Sequence, residues 1–446
     1  MKEGGLLKIG EEEKIYPYGF IHADFYLKNM IKDNTVIADG YAGESEVKGG
    51  GIFAPAGLCA IAIYNSSFIG NDAIVTTPGY TTGIRTAYGG GIAGTTVYVD
   101  RCTIMDNTAH VDQQSYGKKN EVTIYFLSPL TITGGNIIVP AAGGGIAVFS
   151  NGAGTNYWIT NCLIIGNTAR SDNQTSGDYK ALGGGVAFAD DNVLSTTMPF
   201  AGNTIVGNQV ITTNTQGVSY GQAYGGGIGF GNFADGSGLA TQRMTNCIIW
   251  DNRADTNHGL QIASLCKDWS DTDIKEGIYV QHCDVQGGES GVYYYPDYGW
   301  FCWGYDTTYP YYVPWHGDGN IGDDPEDNPN FVNPGYWEDD FFVAGDYHLQ
   351  SSSPLINHGD STLLPQDRPD FDHDGSNADH IPYDFDNGAR ENGMVDIGAD
   401  EYGSASLLLP PQTPVGPMKG IKGNPYLYTI YANLENFGWP FYYQPH

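Results

Sequence analysis

Gly143-Gly144-Gly145-Ile146 and Ile164-Ile165-Gly166-Asn167 form one copy of a pair of short phrases that alternate along this chain. The glycine phrase begins at residues 49, 89, 143, 183 and 225, and the asparagine phrase ends at residues 34, 71, 107, 167, 208 and 252. Repetition at this spacing is typical of solenoids, whose coils are too small to fold alone and are stabilised by stacking on their neighbours. The chain is therefore predicted to be a stack of coils, each with one asparagine corner and one glycine bend.

The residue types of the two phrases predict β-structure with sharp corners. Asparagine accepts left-handed backbone conformations, and stacked asparagine side chains form hydrogen bonds from coil to coil. Glycine runs permit positive φ angles and a close approach of the backbone at a bend. Apolar residues alternate between the phrases, as in Val97-Tyr98-Val99, so that successive side chains point into the coil and outward. We predict an all-β fold, a right-handed parallel β-helix (solenoid), because parallel crossover connections are right-handed.

Variable segments separate each asparagine corner from the following glycine bend, and they are rich in Thr, Ser, Gln, Asn and Tyr. Because each leaves its coil at the same point, they are predicted to align as inserts on one lateral face, which is the main candidate surface for contacts. The alternative is a solvated surface without a partner. The segments are 36–48, 73–88, 110–142, 170–182 and 211–224.

Four of the seven cysteines occupy one repeat position and are predicted to form a stacked internal ladder of small apolar side chains. They are Cys102, Cys162, Cys247 and Cys283. Disulfides between ladder neighbours are disfavoured, because strand stacking rarely supplies the dihedral angle that a disulfide needs. A bridge between Cys266 and Cys302, which lie outside the ladder, is a further hypothesis.

The chain is strongly acidic, with 51 acidic and 20 basic residues and a net charge of −31. Residues 318–401 hold 21 of the acidic residues and two arginines. This balance argues against nucleic acid as a partner, since phosphate contacts need a basic face, and it favours cations. Neither a transmembrane segment nor a signal peptide is visible in this numbering, and the composition suits an extracellular or cell-surface protein.

Changes in composition divide the chain into four regions. Residues 1–290 contain the predicted coils, residues 291–320 an aromatic insert, residues 321–403 an acidic module predicted to cap the solenoid, and residues 404–446 an arm rich in proline and aromatic residues. The insert is predicted to pack on the end of the solenoid, and a sugar-stacking or subunit-contact surface is the alternative. The arm is predicted to be extended and to pair with an open sheet edge.

The repeated phrases resemble those of bacterial right-handed parallel β-helix surface proteins, including the polymorphic outer-membrane protein type. The acidic module resembles the common C-terminal module of that group, with Asp346-Tyr347-His348-Leu349-Gln350, then Ser353-Pro354-Leu355-Ile356-Asn357, and the closing Val395-Asp396-Ile397-Gly398-Ala399-Asp400-Glu401-Tyr402. The resemblance covers roughly residues 25–403. It implies a secreted or surface location, often with an adhesive or structural role.

The segment Asp370-Phe371-Asp372-His373-Asp374-Gly375 is the strongest chemical signal. Alternate carboxylates place hard oxygen ligands on one side of a loop, and the glycine permits a tight turn, as in the first half of a calcium loop. Ile381 stands at the twelfth position, where a glutamate ligand is expected, so Asp379, Asp384 or Asp386 is predicted to complete the shell. The expected cofactor is a structural calcium ion, and the alternative is a solvated acidic loop.

Catalysis is the rival interpretation, because many parallel β-helices cleave acidic polysaccharides. A hydrolase needs two carboxylates about 5–9.5 Å apart, and the adjacent pair Asp190-Asp191 is a weak catalytic candidate. His258 is interpreted as a turn residue. The strong negative charge also repels polyuronate substrates.

We therefore expect a noncatalytic extracellular or cell-surface structural protein. It is predicted to self-assemble into a fibre, sheath or surface layer through the β-helix ends, the loops and the C-terminal arm. The alternatives are a polysaccharide lyase or hydrolase and an adhesin that binds an extracellular glycan.

Overall fold

A computed structural model describes residues 29–39, 45–54, 61–78, 85–94, 96–114, 141–149, 156–173, 179–190, 199–214, 221–232, 243–254, 259–266, 279–296, 317–367, 376, 378–391 and 394–404. In this part of the chain five parallel sheets run along the molecule, and two antiparallel strand pairs follow them. The helical segments there are three short 3₁₀ turns, Gly288–Gly291, Pro325–Asp327 and Ser361–Leu363.

The strands are numbered in chain order. They are β1 (Asn29–Lys32), β2 (Thr35–Asp39), β3 (Ser45–Lys48), β4 (Ile52–Ala54), β5 (Ile61–Tyr64), β6 (Ser66–Ile69), β7 (Asp72–Pro78), β8 (Arg85–Tyr88), β9 (Ile92–Gly94), β10 (Thr96–Asp100), β11 (Thr103–Met105), β12 (Thr108–Gln114), β13 (Ala141–Ala142), β14 (Ile146–Phe149), β15 (Asn156–Thr160), β16 (Leu163–Ile165), β17 (Thr168–Asn173), β18 (Tyr179–Leu182), β19 (Val186–Asp190), β20 (Phe200–Ala201), β21 (Thr204–Val206), β22 (Gln209–Asn214), β23 (Gly221–Tyr224), β24 (Ile228–Asn232), β25 (Arg243–Thr245), β26 (Ile248–Trp250), β27 (Arg253–Ala254), β28 (Ile262–Cys266), β29 (Tyr279–Gln281), β30 (Asp284–Val285), β31 (Val292–Pro296), β32 (Phe331–Asn333), β33 (Tyr336–Glu338), β34 (Phe341–Val343) and β35 (Asp346–Leu349).

Each complete coil contributes one strand to each of five sheets, and each strand pairs in parallel with its equivalent in the next coil. In the order in which a coil visits them, sheet 1 contains β5, β10, β15, β20, β25 and β29; sheet 2 contains β1, β6, β11, β16, β21, β26 and β30; sheet 3 contains β2, β7, β12, β17, β22 and β27; sheet 4 contains β3, β8, β13, β18 and β23; and sheet 5 contains β4, β9, β14, β19, β24, β28 and β31. The predicted all-β parallel β-helix is confirmed.

The asparagine corners form a continuous hydrogen-bonded ladder inside the solenoid. Each ladder amide Nδ2 donates to the Oδ1 of the next asparagine at 2.9–3.0 Å, from Asn34 through to Asn252. From Asn71 onward, each Nδ2 also donates to a main-chain carbonyl of the preceding coil, as Asn167 does to Ile104 at 2.8 Å. The last asparagine, Asn252, donates to Gln261 Oε1 at 2.8 Å, and Gln261 Nε2 donates in turn to Gln286 Oε1 at 3.0 Å, so two glutamines continue the ladder in the final coils.

The left-handed backbone conformation lies one residue before each ladder asparagine, and not at the asparagine as predicted. The residues with positive φ at this corner are Asp33, Gly70, Asp106, Gly166, Gly207 and Asp251. A second corner, between sheets 1 and 2, places Asn65, Arg101, Asn161, Gly202, Asn246 and His282 in the same conformation. The ladder asparagines are therefore selected for their hydrogen bonds, while Asp and Gly before them supply the turn.

The three glycines of each triplet have three different reasons to be glycine. Gly89 has a φ of 58°, which a side chain disfavours. A Cβ on Gly90 would overlap the backbone of Thr108, the first residue of β12 in the next coil. A Cβ on Gly91 would lie 3.1 Å from the side chain of Asn107, so the third glycine makes room for the ladder.

The cysteine ladder is confirmed as a buried internal row, with one interruption. Cys102, Cys162, Cys247 and Cys283 are free and buried, and all belong to the main hydrophobic core. Asn203 occupies the same row, and its Oδ1 accepts a hydrogen bond from the Cys162 amide at 3.0 Å. Cys302 lies outside the described residues, so the predicted Cys266–Cys302 bridge stays a prediction.

The variable segments contain more regular structure than predicted. Their first residues are strands of sheet 3 and their last residues are strands of sheet 4, as with β12 and β13 in segment 110–142. In sheet 3, small apolar side chains such as Ala109 and Val111 point inward and polar ones point outward. Inserts are thus confined to the stretches between these strands.

The acidic module runs along the flank of the solenoid. Residues 317–322 first add a partial coil to the last one, with Ile321 bridged to Asp284 in parallel. The chain then covers the outer face of sheet 2, where Phe331, Phe342 and Leu355 pack against an apolar row of Ile165, Val206 and Ile248. Farther on, Leu364, Ile381 and Val395 pack on Trp158 at the outer face of sheet 1.

The acidic module binds the solenoid along the corner between sheets 1 and 2. Arg101 donates to Asn387 at 2.7 Å, Asn161 donates to the Tyr383 carbonyl at 2.8 Å, and Asn246 exchanges hydrogen bonds with the Asp360 backbone at 2.9 and 3.0 Å. At Gly202, a Cβ would lie 2.9 Å from the guanidinium of the buried Arg390. The left-handed corner thus both turns the coil and presents polar groups to the module.

We predict that Asn167→Ala destabilises the protein by about 2–5 kcal/mol, because it removes the side chain from a buried ladder and leaves partners unpaired. Urea or thermal unfolding measures this change. Asn34→Ala is the matched control, since Asn34 stands at the exposed end of the same ladder, and its removal is expected to cost less than about 1 kcal/mol. Equal effects of the two substitutions would contradict the role given to the ladder.

We further predict that Phe342→Ala weakens docking of the module by about 3–5 kcal/mol, because Phe342 is 7% exposed and packs in the flank core. Hydrogen exchange and limited proteolysis of residues 331–404 report the loss. The neighbouring Phe341 is 78% exposed, so Phe341→Ala is the control and is expected to change little. Unchanged protection in the Phe342 variant would show that the module is held by other contacts.

Candidate functional site

A histidine and two aspartates converge on the outer surface of the acidic module. One ligand atom from each of His348, Asp386 and Asp400 lies within 4.8 Å of the others. His348 Nε2 is 2.8 Å from Asp386 Oδ2, and His348 Nδ1 is hydrogen-bonded to Asp346. Among the described residues, these three side chains form a group whose nitrogen and oxygen atoms could coordinate a metal ion.

Strand β35 positions the histidine through the alternation of its side chains. Tyr347 and Leu349 are buried against the flank of the solenoid, and Asp346 and His348 therefore point outward side by side. The amide of Phe385 donates to the Ala399 carbonyl at 2.8 Å, and this bond aligns the following residues, Asp386 and Asp400. Three segments that are distant in sequence thus meet at the site.

A buried ion pair supports the segment that carries Asp400. Arg390 Nη1 lies 3.1 Å from Glu401 Oε1, and both side chains are buried. The Glu401 carboxylate also accepts from the Asp396 amide at 3.0 and 3.1 Å. The closing Val395–Tyr402 motif is therefore folded around a charge pair beneath the site.

The surroundings of the site shift the pKa values of His348 and Asp400. The hydrogen bond to Asp386 raises the pKa of His348 to about 10, against the opposing effect of burial. Burial, followed by the nearby charge of Asp384, raises the pKa of Asp400 to about 7. The site thus holds crowded carboxylates around a single imidazole and favours a cation.

Only some of the residues predicted to bind calcium lie in this group. Asp386 belongs to it, whereas the buried Asp384 accepts hydrogen bonds from the Gly388 amide, the Glu401 amide and the Ser404 hydroxyl. Asp379 uses its carbonyl to accept the Asp367 amide at 2.7 Å. Asp370, Asp372 and Asp374 lie outside the described residues, so the calcium site stays a prediction.

Sequence reasoning missed His348 and Asp400 as site residues. Both stand in the motifs of the module, where polar residues alternate with buried ones. From that alternation one can predict that Asp346 and His348 both point outward. Their proximity to Asp400 depends on the tertiary fold and could not be predicted in this way. Of the catalytic candidates, Asp190 is the last residue of β19 and Asp191 lies outside the described residues, as does His258.

A second polar cluster lies on the outer face of sheet 3. Asp172 accepts from Arg170 Nε at 2.7 Å, contacts His110 Nε2 at 3.0 Å and accepts from the Thr213 hydroxyl. These residues come from three successive coils, which shows that the stacking builds a polar surface across the rungs. Burial acts to raise the pKa of Asp172, but the hydrogen bonds from His110, Arg170 and Thr213 outweigh it and lower the pKa to about 2.

Because this pKa is depressed, the cluster should stabilise the fold above the ordinary aspartate pKa and lose its effect as the pH falls toward 2. We predict that Asp172→Asn destabilises the protein by about 1–2 kcal/mol at pH 7, after allowance for solvent exposure. Urea unfolding from pH 7 to pH 3 should show this difference shrinking below about pH 4. Asp339→Asn, at an exposed position, serves as the control, and a pH-independent difference would contradict the prediction.

Comparison with protein-family models, with curated proteins and with solved structures finds no match to this chain. The parallel β-helix assignment therefore stands on the strand pairing itself. Within the described residues, no helix has the length and apolar character that a membrane crossing requires.

Proposed function

We propose that this chain is a noncatalytic structural protein of the cell surface or extracellular space that self-associates through the first coil of its β-helix. The observation that carries the proposal is the open end of the solenoid. Among the described residues, no strand pairs with the outer edges of β1, β2, β3 and β4. The resemblance to bacterial surface β-helix proteins supports the proposed location.

The first coil also exposes large apolar side chains. Met30 is 65% exposed, Val36 43%, Ile37 56% and Phe53 40%. The positions of the second coil that pair with Val36 and Phe53 are Ala73 and Ala93, which are buried between two neighbouring coils. Strand edges without a partner strand among the described residues, together with exposed apolar side chains, are a template for pairing with another chain.

The opposite end differs from the first coil at sheet 2, where the edge of β30 is covered. Residues 317–322 pair with the last coil, where the Ile321 amide donates to the Cys283 carbonyl at 2.9 Å and the Val285 amide donates to the Ile321 carbonyl at 3.0 Å. Since the two ends are unlike, the proposed contact joins the first coil to the first coil of a second copy, as in a two-fold interface. The loops and the C-terminal arm would then extend such dimers into a fibre, sheath or layer.

The double substitution Val36→Lys with Ile37→Lys tests the proposal. Charged lysines on an edge strand oppose pairing, so we expect self-association to weaken by at least about tenfold. Sedimentation velocity over a range of concentrations measures the change, and electron microscopy of the wild type shows the form of the assembly. The matched control, Val332→Lys with Phe341→Lys, adds the same charge at exposed apolar positions of the module.

A wild-type protein that stays monomeric at high concentration, with and without calcium, would overturn the proposal. Equal weakening by both double variants would show a general charge effect instead of contact through the first coil.

A second candidate function is glycan binding through the lateral face. The specific observation is the polar patch on sheet 3 formed by two neighbouring rows, His110 with Arg170 and Asp172 with Thr213, which offers imidazole, guanidinium, carboxylate and hydroxyl groups. A monomeric protein that retains glycans without cleaving them would favour this adhesin over the structural role.

A further inference from the structure

We propose that His348, Asp386 and Asp400 bind a divalent transition-metal ion of the zinc type, which fastens the acidic module together. This inference is independent of self-association through the first coil. It rests on the convergence of three ligand atoms from β35, the 384–388 turn and the closing motif, all within 4.8 Å of one another.

The distances suit a metal with little rearrangement. His348 Nε2 and Asp386 Oδ2 are 2.8 Å apart, and neighbouring ligand atoms of a tetrahedral zinc ion are about 3.4 Å apart when each metal bond is about 2.1 Å long, so the two side chains would separate by about 0.6 Å. An ion between them would replace the Nε2 proton that now bridges the imidazole and the carboxylate. Asp400 would supply the third ligand, and water the remaining positions.

The histidine is already oriented by a residue outside the ligand group. Its Nδ1 is hydrogen-bonded to Asp346, which leaves Nε2 directed at the two carboxylates. A carboxylate on the far nitrogen of a ligating histidine fixes the tautomer and ring orientation, and such partners recur at metal sites in proteins. Asp346 is therefore assigned as a positioning residue.

The donor set decides the class of ion. Calcium and magnesium take oxygen ligands, whereas an imidazole nitrogen with two carboxylates suits zinc and similar ions. The site shares Asp386 with the calcium shell predicted from the sequence, but its imidazole favours a different class of ion. His348 is half-exposed, so an ion can enter from solvent.

The test uses the full chain after removal of metals with a chelator. Isothermal titration with zinc chloride is expected to show about one ion per chain, and thermal unfolding is expected to shift upward by about 3–5 °C at saturating zinc. Cobalt in place of zinc should give an absorption spectrum that reports nitrogen and oxygen ligands. Calcium and magnesium are expected to cause neither the spectrum nor a shift that depends on His348.

Three variants make the assignment specific. His348→Gln and Asp400→Asn should abolish zinc binding, and Asp346→Asn should weaken it by about 10–100-fold with the cobalt spectrum retained. His380→Gln is the matched control, because His380 Nδ1 also lies near a single carboxylate, Glu391, at 3.7 Å. Circular dichroism confirms that each variant is folded.

The proposal is overturned if the wild type does not bind zinc, or if His348→Gln binds it as tightly as the wild type. Zinc binding that is lost only in the His380 variant would move the site elsewhere and would equally refute it.

Discussion

The in-register stacking of coils, fixed by the asparagine ladder, is the constraint on which the rest of the structure depends. A corner without helix or hairpin leaves backbone groups that cannot be paired within one coil. The asparagine amide resolves this by bonding the coil below and the coil above at once, as Asn167 does with Ile104 and Asn208. Since every coil depends on its neighbours, an end without a neighbour is left incomplete, and the first coil is such an end in the described part of the chain.

The ladder also determines the shape of the lumen and the nature of the outer faces. Glycine at the third position of each triplet leaves space for the asparagines, and the second glycine lets its backbone touch the backbone of the next coil. Alternation along the strands of sheet 2 places Ile164 and Ile249 in the lumen and Ile165 and Trp250 on the outside. An exposed apolar row of that size is unfavourable in water, and the acidic module covers it.

Much of this architecture was predictable because its signals are local and repeated. The glycine and asparagine phrases predicted the coil, the ladder and the buried cysteine row. The strands of sheets 3 and 4 were missed because their inward residues, such as Ala109 and Ala141, are small and their outward residues polar, which is also typical of loops. The path of the module along the flank could not be read from the sequence, because it depends on outward rows contributed one residue at a time by separate coils.

The solenoid positions the side chains around His348, although none of them belongs to its repeats. Tyr347 and Leu349 are drawn into the flank, and this places Asp346 and His348 outside. The Ala399 amide donates to Thr204 in sheet 2 at 3.0 Å, which holds the strand-like end that carries Asp400. The three ligands therefore meet because two segments of the module are each registered against the same stacked coils. A metal at this point would join the two segments directly, and the order of the module would then depend on the ion as well as on the apolar flank beneath it.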